Sequence, residues 1–180
     1  MEHGLATEEI RDFLNELSQH FTQPVKIYLL GGSALCFLGN PRRTIDIDCI
    51  VDIKSKDFES MIAKVARDLQ LEVEIVPIHE FIPLPAETEK RHQIIGKYGN
   101  IEVYVFDPYS IALSKLARGF DTDVQDILFL LQQEIIELNL LAEFVENTLQ
   151  VAWDFDIDPD EMKSYFDVVK KLYKIWSANG

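Results

Sequence analysis

The sequence predicts an α/β (α+β) fold with a helical C-terminal portion. Three observations carry this. Short apolar runs alternate with amphipathic segments through the first half, in the order strand, helix, strand, helix, strand, hairpin. After Asp107-Pro108 the hydrophobic spacing is helical throughout. The chain has 180 residues, 47% hydrophobic and 27% charged, which suits one soluble domain or one domain with a helical extension.

The elements follow in order. Residues 7–20 read as an amphipathic helix, with Thr7 as N-cap and Ile10, Phe13, Leu14 and Leu17 at 3-4 spacing. Pro24 breaks the pattern, and Val25 to Leu30 is a short apolar strand ended by Gly31-Gly32. Ser33 to Leu38 is a short helix closed by Gly39-Asn40-Pro41. Residues 44–53 are the second strand and Lys56 to Leu69 the next helix. Residues 71–76 are a third strand, and the proline-rich stretch from Pro77 to Glu89 reads as a loop. Arg91 to Lys97 and Ile101 to Phe106 form a hairpin around Tyr98-Gly99-Asn100.

Asp107 caps a helix whose first position is Pro108 and which Gly119 breaks. Two helices between Thr122 and Gln150 meet near Leu138 to Leu140, and the last runs from Asp158-Pro159 to about Trp176. The expected organisation is a core over residues 1–120 and a helical extension over 121–180, packed on the core.

A net charge of −14 argues against a broad basic surface for nucleic acid, leaves room for a local basic cleft, and fits a basic partner protein. Cys36 and Cys49 sit in apolar runs without Cys-x-x-Cys spacing and read as buried free thiols. No apolar run reaches the ~18 residues of a membrane span, and the N-terminus lacks a secretory pattern, so the cytoplasm is the expected compartment.

The chemistry concentrates in Gly31-Gly32-Ser33 and in Arg43-Thr44-Ile45-Asp46-Ile47-Asp48. On a strand, Asp46 and Asp48 face the same way, two residues apart at about 3.3 Å each. Two acids on an apolar strand repel each other and resist burial, and a divalent cation resolves both problems. The glycines either turn the chain or expose N–H groups to phosphate, with Ser33 adding a hydroxyl donor. Arg42 and Arg43 either pair with the acids or contact a triphosphate. Lys115 and Arg118 share a helix face and either reach substrate or end a solvated helix. Asp123 and Asp126 either pair with those cations or cap the following helix. Two lures are declined. Asp154 to Asp158 resembles a calcium loop, but Pro159 and Tyr165 occupy its Gly and Glu positions. The four histidines lack metal-ligand spacing.

These motifs resemble the nucleotidyltransferase superfamily of the DNA polymerase beta type. The run from Leu30 to Leu35, followed by Arg43 to Asp48, is similar to small prokaryotic nucleotidyltransferase-like proteins akin to abortive-infection toxins. Lys115 to Gly119 followed by Asp123-x-x-Asp126 matches that group's downstream segment, so the resemblance covers roughly residues 25–131. It implies a nucleotidyltransferase-like mixed sheet flanked by helices.

The resemblance also implies Mg²⁺ (or Mn²⁺) on Asp46 and Asp48, and an NTP whose phosphates meet Gly31, Gly32, Ser33, Arg43, Lys115 and Arg118. The NMP would pass to a hydroxyl of tRNA, protein or a small molecule. A third carboxylate is required: Glu102 has the best strand position and Glu74 is the runner-up. The remaining alternatives are a catalytically degenerate binder of nucleotide or of a partner, and a toxin–antitoxin component masked by an antitoxin.

Overall fold

Five strands form one mixed sheet: β1 (Val25–Leu30), β2 (Ile47–Val51), β3 (Val73–Ile75), β4 (Gln93–Tyr98) and β5 (Ile101–Val105). Their order is β3-β2-β1-β5-β4. The central strand β1 pairs antiparallel with β2 and parallel with β5; β3 joins β2 in parallel, and β4 closes the far edge as the hairpin partner of β5. This computed structural model describes residues 4–53 and 55–180. His3 lies outside them.

The chain divides into two compact units. The first comprises residues up to Val76 together with His92–Phe106, and holds the whole sheet with α1 (Thr7–Gln19), α2 (Gly31–Phe37) and α3 (Lys56–Asp68). Period-2 alternation puts Val25, Ile27 and Leu29 of β1, Ile47 and Cys49 of β2, and Ile101, Val103 and Val105 of β5 in the core. α1 and α3 pack on each other and reach the two edge strands, burying Ile10, Phe13, Leu14, Leu17, Phe58, Ile62 and Val65. Each such side chain contributes roughly 1.5–3 kcal/mol by leaving water. The other set of strand positions, which includes Tyr28, Asp48, Ile50, Glu102 and Tyr104, is only half-buried.

The second unit comprises Pro77–Arg91 and Asp107–Gly180. It contains α4 (Ile78–Phe81), a 3-10 turn at Thr88–Arg91, α5 (Pro108–Arg118), α6 (Asp121–Gln132), α7 (Leu138–Gln150), a 3-10 turn at Ala152–Phe155, and α8 (Pro159–Ala178). α5 is the hub: it packs against α6, α7 and α8. Its Ile111, Ala112, Leu113 and Leu116 are fully buried. Gly119 ends it in the left-handed region at φ 71°, as the sequence predicts, and a Cβ there would lie 2.0 Å from the Tyr165 ring.

Three local expectations are corrected. α1 is capped by Ala6, whose N–H donates to the Glu9 carboxylate (2.9 Å), and Thr7 is its first helical residue. The second strand begins at Ile47 rather than at residue 44, because the Thr44 hydroxyl donates to the Asp46 carbonyl and bends the segment before it. The loop after Pro77 holds one helical turn. By its contacts α5 groups with the C-terminal helices, which cover its apolar faces.

Candidate metal centre

The site grows from the turn between β1 and α2. Gly31 has φ 52°, a conformation other residues rarely adopt. A Cβ on Gly31 would lie 2.6 Å from Asp48 Oδ2, and one on Gly32 would lie 2.5 Å from Thr44 Oγ1. The two glycines are therefore explained by close approach: the turn's backbone forms the surface on which Asp48 and Thr44 rest. Ser33 is fully buried, and its hydroxyl donates to the carbonyls of Leu30 (2.7 Å) and Asp48 (3.2 Å). That hydroxyl is engaged with backbone, tying the turn to β2. Thr44 is also buried, and its hydroxyl donates to the Asp46 carbonyl at 3.1 Å.

Asp46 and Asp48 converge with Glu74. One carboxylate oxygen from each lies within 4.8 Å of the others. Register explains the third member: Glu74 of β3 is the direct partner of Asp48 of β2 in the parallel ladder. Like charges directly opposite each other on neighbouring strands are destabilising. Asp46 and Asp48 are half-buried and Glu74 is exposed. The donor set is all hard oxygen, as Mg²⁺ or Mn²⁺ prefers. Around an octahedral Mg²⁺ cis oxygens stand about 3.0 Å apart and only a trans pair reaches about 4.2 Å, so the three carboxylates, whose oxygens lie within 4.8 Å of one another, would draw together to hold such an ion.

Glu102 stands elsewhere. It pairs with Lys26 on β1, whereas Asp48 pairs with Leu30. Four residues of strand separate the two levels, about 13 Å. Glu102 shares the sheet face of Asp48 but accepts a hydrogen bond from the Tyr104 hydroxyl (2.8 Å) at the far end of the strands. That bond, first, and the nearby charge hold the Tyr104 phenol above its ordinary pKa. The structure thus brings Glu74, and not Glu102, to the two aspartates. Alternating polarity in Glu72-Val73-Glu74 was the available signal, but a sequence does not reveal which strand lies beside which.

Arg43 is half-exposed and turns to the N-terminal segment, donating to the Gly4 carbonyl (2.7 Å) and pairing with Glu9 (3.7 Å). The Glu9 carboxyl is held below its usual range, first by the Ala6 N–H and further by its own backbone N–H and the Arg43 charge. Cys49, in the core directly after Asp48 on β2, is a free buried thiol pushed up to about 12 by burial and by the neighbouring Asp48 charge.

In the helical unit Lys115 is buried and donates to Asp126 (2.8 Å) and Asp123 (3.3 Å). The half-exposed Arg118 grips Asp123 with two hydrogen bonds, at 2.8 and 2.6 Å. Asp123 also accepts the Phe120 N–H at the start of α6. Both open readings of Asp123 hold at once, as ion-pair partner and as helix cap. Burial would raise the Asp123 carboxyl, but Arg118, Lys115 and the Phe120 N–H outweigh it and hold it low.

Comparison with known families places the chain in a nucleotidyltransferase-like class. A family model described as "Nucleotidyltransferase of unknown function (DUF6036)" matches residues 7–174. The chain belongs to that family. A solved structure of an antigenic nucleotidyltransferase-like protein from Paracoccidioides brasiliensis is similar at 15% identity, with a TM-score of 0.47, over 86% of this chain and 95% of that one. No curated protein matches. Among the described residues, no helix is long and apolar enough to cross a membrane.

Proposed function

We propose that the chain is a metal-dependent nucleotidyltransferase that moves an NMP from an NTP to a hydroxyl acceptor. The observation that carries this is the convergence of Asp46, Asp48 and Glu74 beside the Gly31-Gly32 turn, in a chain of this family. In this reading the three carboxylates hold Mg²⁺, which supplies positive charge to the triphosphate and to the departing pyrophosphate. The glycines keep the backbone beside Asp48 clear of side chains where the triphosphate lies. Transfer forms a bond from the acceptor oxygen to the α-phosphorus and breaks the bond from that phosphorus to the bridging oxygen. Pyrophosphate leaves with the electron pair. The acceptor's proton passes to Glu74, the most exposed of the three acids.

The resemblance to abortive-infection toxins supports a place as the toxin of a toxin–antitoxin pair, with tRNA or protein as acceptor. Label transfer from each α-³²P-NTP with Mg²⁺ into tRNA, total protein and the chain itself tests this. The wild type is expected to incorporate label, and Asp46→Asn/Asp48→Asn to lose at least about 1,000-fold, since metal charge stabilisation is worth several kcal/mol. No incorporation from any NTP, with nucleotide binding intact, would instead establish the degenerate binder.

A further inference from the structure

Two buried hydroxyls each reach the backbone carbonyl of one of the paired aspartates: Thr44 donates to Asp46 (3.1 Å), and Ser33 shares its proton between Asp48 (3.2 Å) and the closer Leu30 carbonyl (2.7 Å). Neither side chain is accessible, at 0% and 5% exposure. We infer that Ser33 and Thr44 are positioning residues that set the two metal-binding carboxylates, and that Ser33 acts through Asp48 rather than on the triphosphate. The inference rests on the proposed metal reading of Asp46, Asp48 and Glu74.

Thr44 is fixed from three sides. Its side chain lies against Gly32, where a Cβ would meet Thr44 Oγ1 at 2.5 Å and Thr44 Cβ at 2.9 Å. Its hydroxyl is spent on Asp46. Its backbone exchanges hydrogen bonds with Leu5, an isolated antiparallel bridge to the segment preceding α1. Asp46 lies outside β2, so the sheet ladder does not hold it; the Thr44 hydroxyl provides the local restraint on its peptide. Asp48 is within β2, and Ser33, from the first turn of α2, bonds its carbonyl at 3.2 Å. Gly31, Gly32, Ser33 and Thr44 thereby form one interlock: two glycines make room and two hydroxyls supply direction. Three like charges repel and drift apart unless something holds them, and oxygen ligands for a small cation must be placed to within a few tenths of an ångström.

Mn²⁺ titration of the apo protein, followed by electron paramagnetic resonance of the free ion, reads the metal directly and needs no acceptor or NTP. Thr44→Val keeps the shape and removes the donor, and should weaken Mn²⁺ binding about tenfold, the lower end of the effect of losing a partner that orients a ligand. Thr44→Ser restores the hydroxyl and should bind within about twofold of wild type. Ser33→Ala removes one oxygen from a closed site and should weaken binding several-fold, and it carries the test alone if Thr44→Val does not fold by circular dichroism. Wild-type affinity in folded Thr44→Val or, where that variant does not fold, in folded Ser33→Ala overturns the inference. A wild type that binds no Mn²⁺, with Asp46→Asn/Asp48→Asn indistinguishable from it, overturns the metal reading itself and this inference with it.

Discussion

The two units treat their acids in opposite ways. In the sheet unit, three carboxylates from two strands and a bend are gathered within 4.8 Å of one another and left half-buried or exposed. In the helical unit, three aspartates are driven almost fully inside and each is set on a cation: Asp107 on Arg91, Asp123 on Arg118 and Lys115, Asp126 on Lys115. Asp107 accepts from Arg91 Nε (2.8 Å) and Nη2 (2.9 Å), from the Ser110 hydroxyl (2.8 Å) and from the Tyr109 N–H (3.1 Å). Burial with full pairing is how a protein uses charge to hold a fold. Gathering like charges at a surface costs stability, and such a cost persists where a ligand repays it.

Replacing Lys115 with Met should break this contrast hardest. It leaves two buried aspartates short of a cation, and the cost of breaking such a pair is about 3–5 kcal/mol. Urea denaturation should show the midpoint falling with an unchanged slope. The corresponding insult to the sheet unit, Asp46→Asn/Asp48→Asn, relieves repulsion among the three carboxylates and should cost less stability than Lys115→Met does. A Lys115→Met variant as stable as wild type would end the structural reading of that network.

Acid tests the helical unit's network next. The Asp123 carboxyl is lower in the folded chain than in the unfolded one. A depressed carboxyl contributes stability that is present above its unfolded pKa, about 3.9, and is lost as pH falls through the lower folded value. Urea midpoints measured from pH 6 down to pH 2.5 should fall in that window, and Asp123→Asn should flatten that part of the profile. An unaltered slope in the variant would assign the acid sensitivity to other groups. Cys49 gives a smaller effect: with its thiol pushed up to about 12 inside the core, an aromatic disulfide reagent at pH 8 should leave it unmodified until urea unfolds the sheet unit.

Where punctuation is strong, the sequence is legible. Pro24 and Gly31 bracket β1, Asp107-Pro108 and Gly119 bracket α5, and both elements occupy the expected residues. Where the choice is tertiary, it is not. Ile45 reads as a strand residue by alternation yet is 67% exposed, because a side-chain hydrogen bond from Thr44 competes with the ladder. Asp46 and Asp48 were readable as a pair from their spacing, and the Gly-Gly turn as their neighbour from its motif. Ser33 was readable as a hydroxyl beside the turn, but its direction depends on where β2 passes. Glu74 and Glu102 offer the same local pattern, an acid alternating with apolar residues, and only strand order and register separate them.

The smallest effect belongs to Glu102, and it sharpens the comparison within the sheet itself. Glu102→Gln removes a charge that lies beside Lys26 and Lys97 on the neighbouring strands and keeps an acceptor for the Tyr104 hydroxyl. Stability should change by no more than about 0.5 kcal/mol, as for most surface substitutions. Mn²⁺ affinity and label transfer should stay within about twofold, since sites this far apart act independently. Glu74→Gln, by contrast, removes one of three ligands and should lower both. If Glu102→Gln lowers both and Glu74→Gln lowers neither, the third carboxylate comes from β5, and the metal lies lower on the sheet than the group around Asp48.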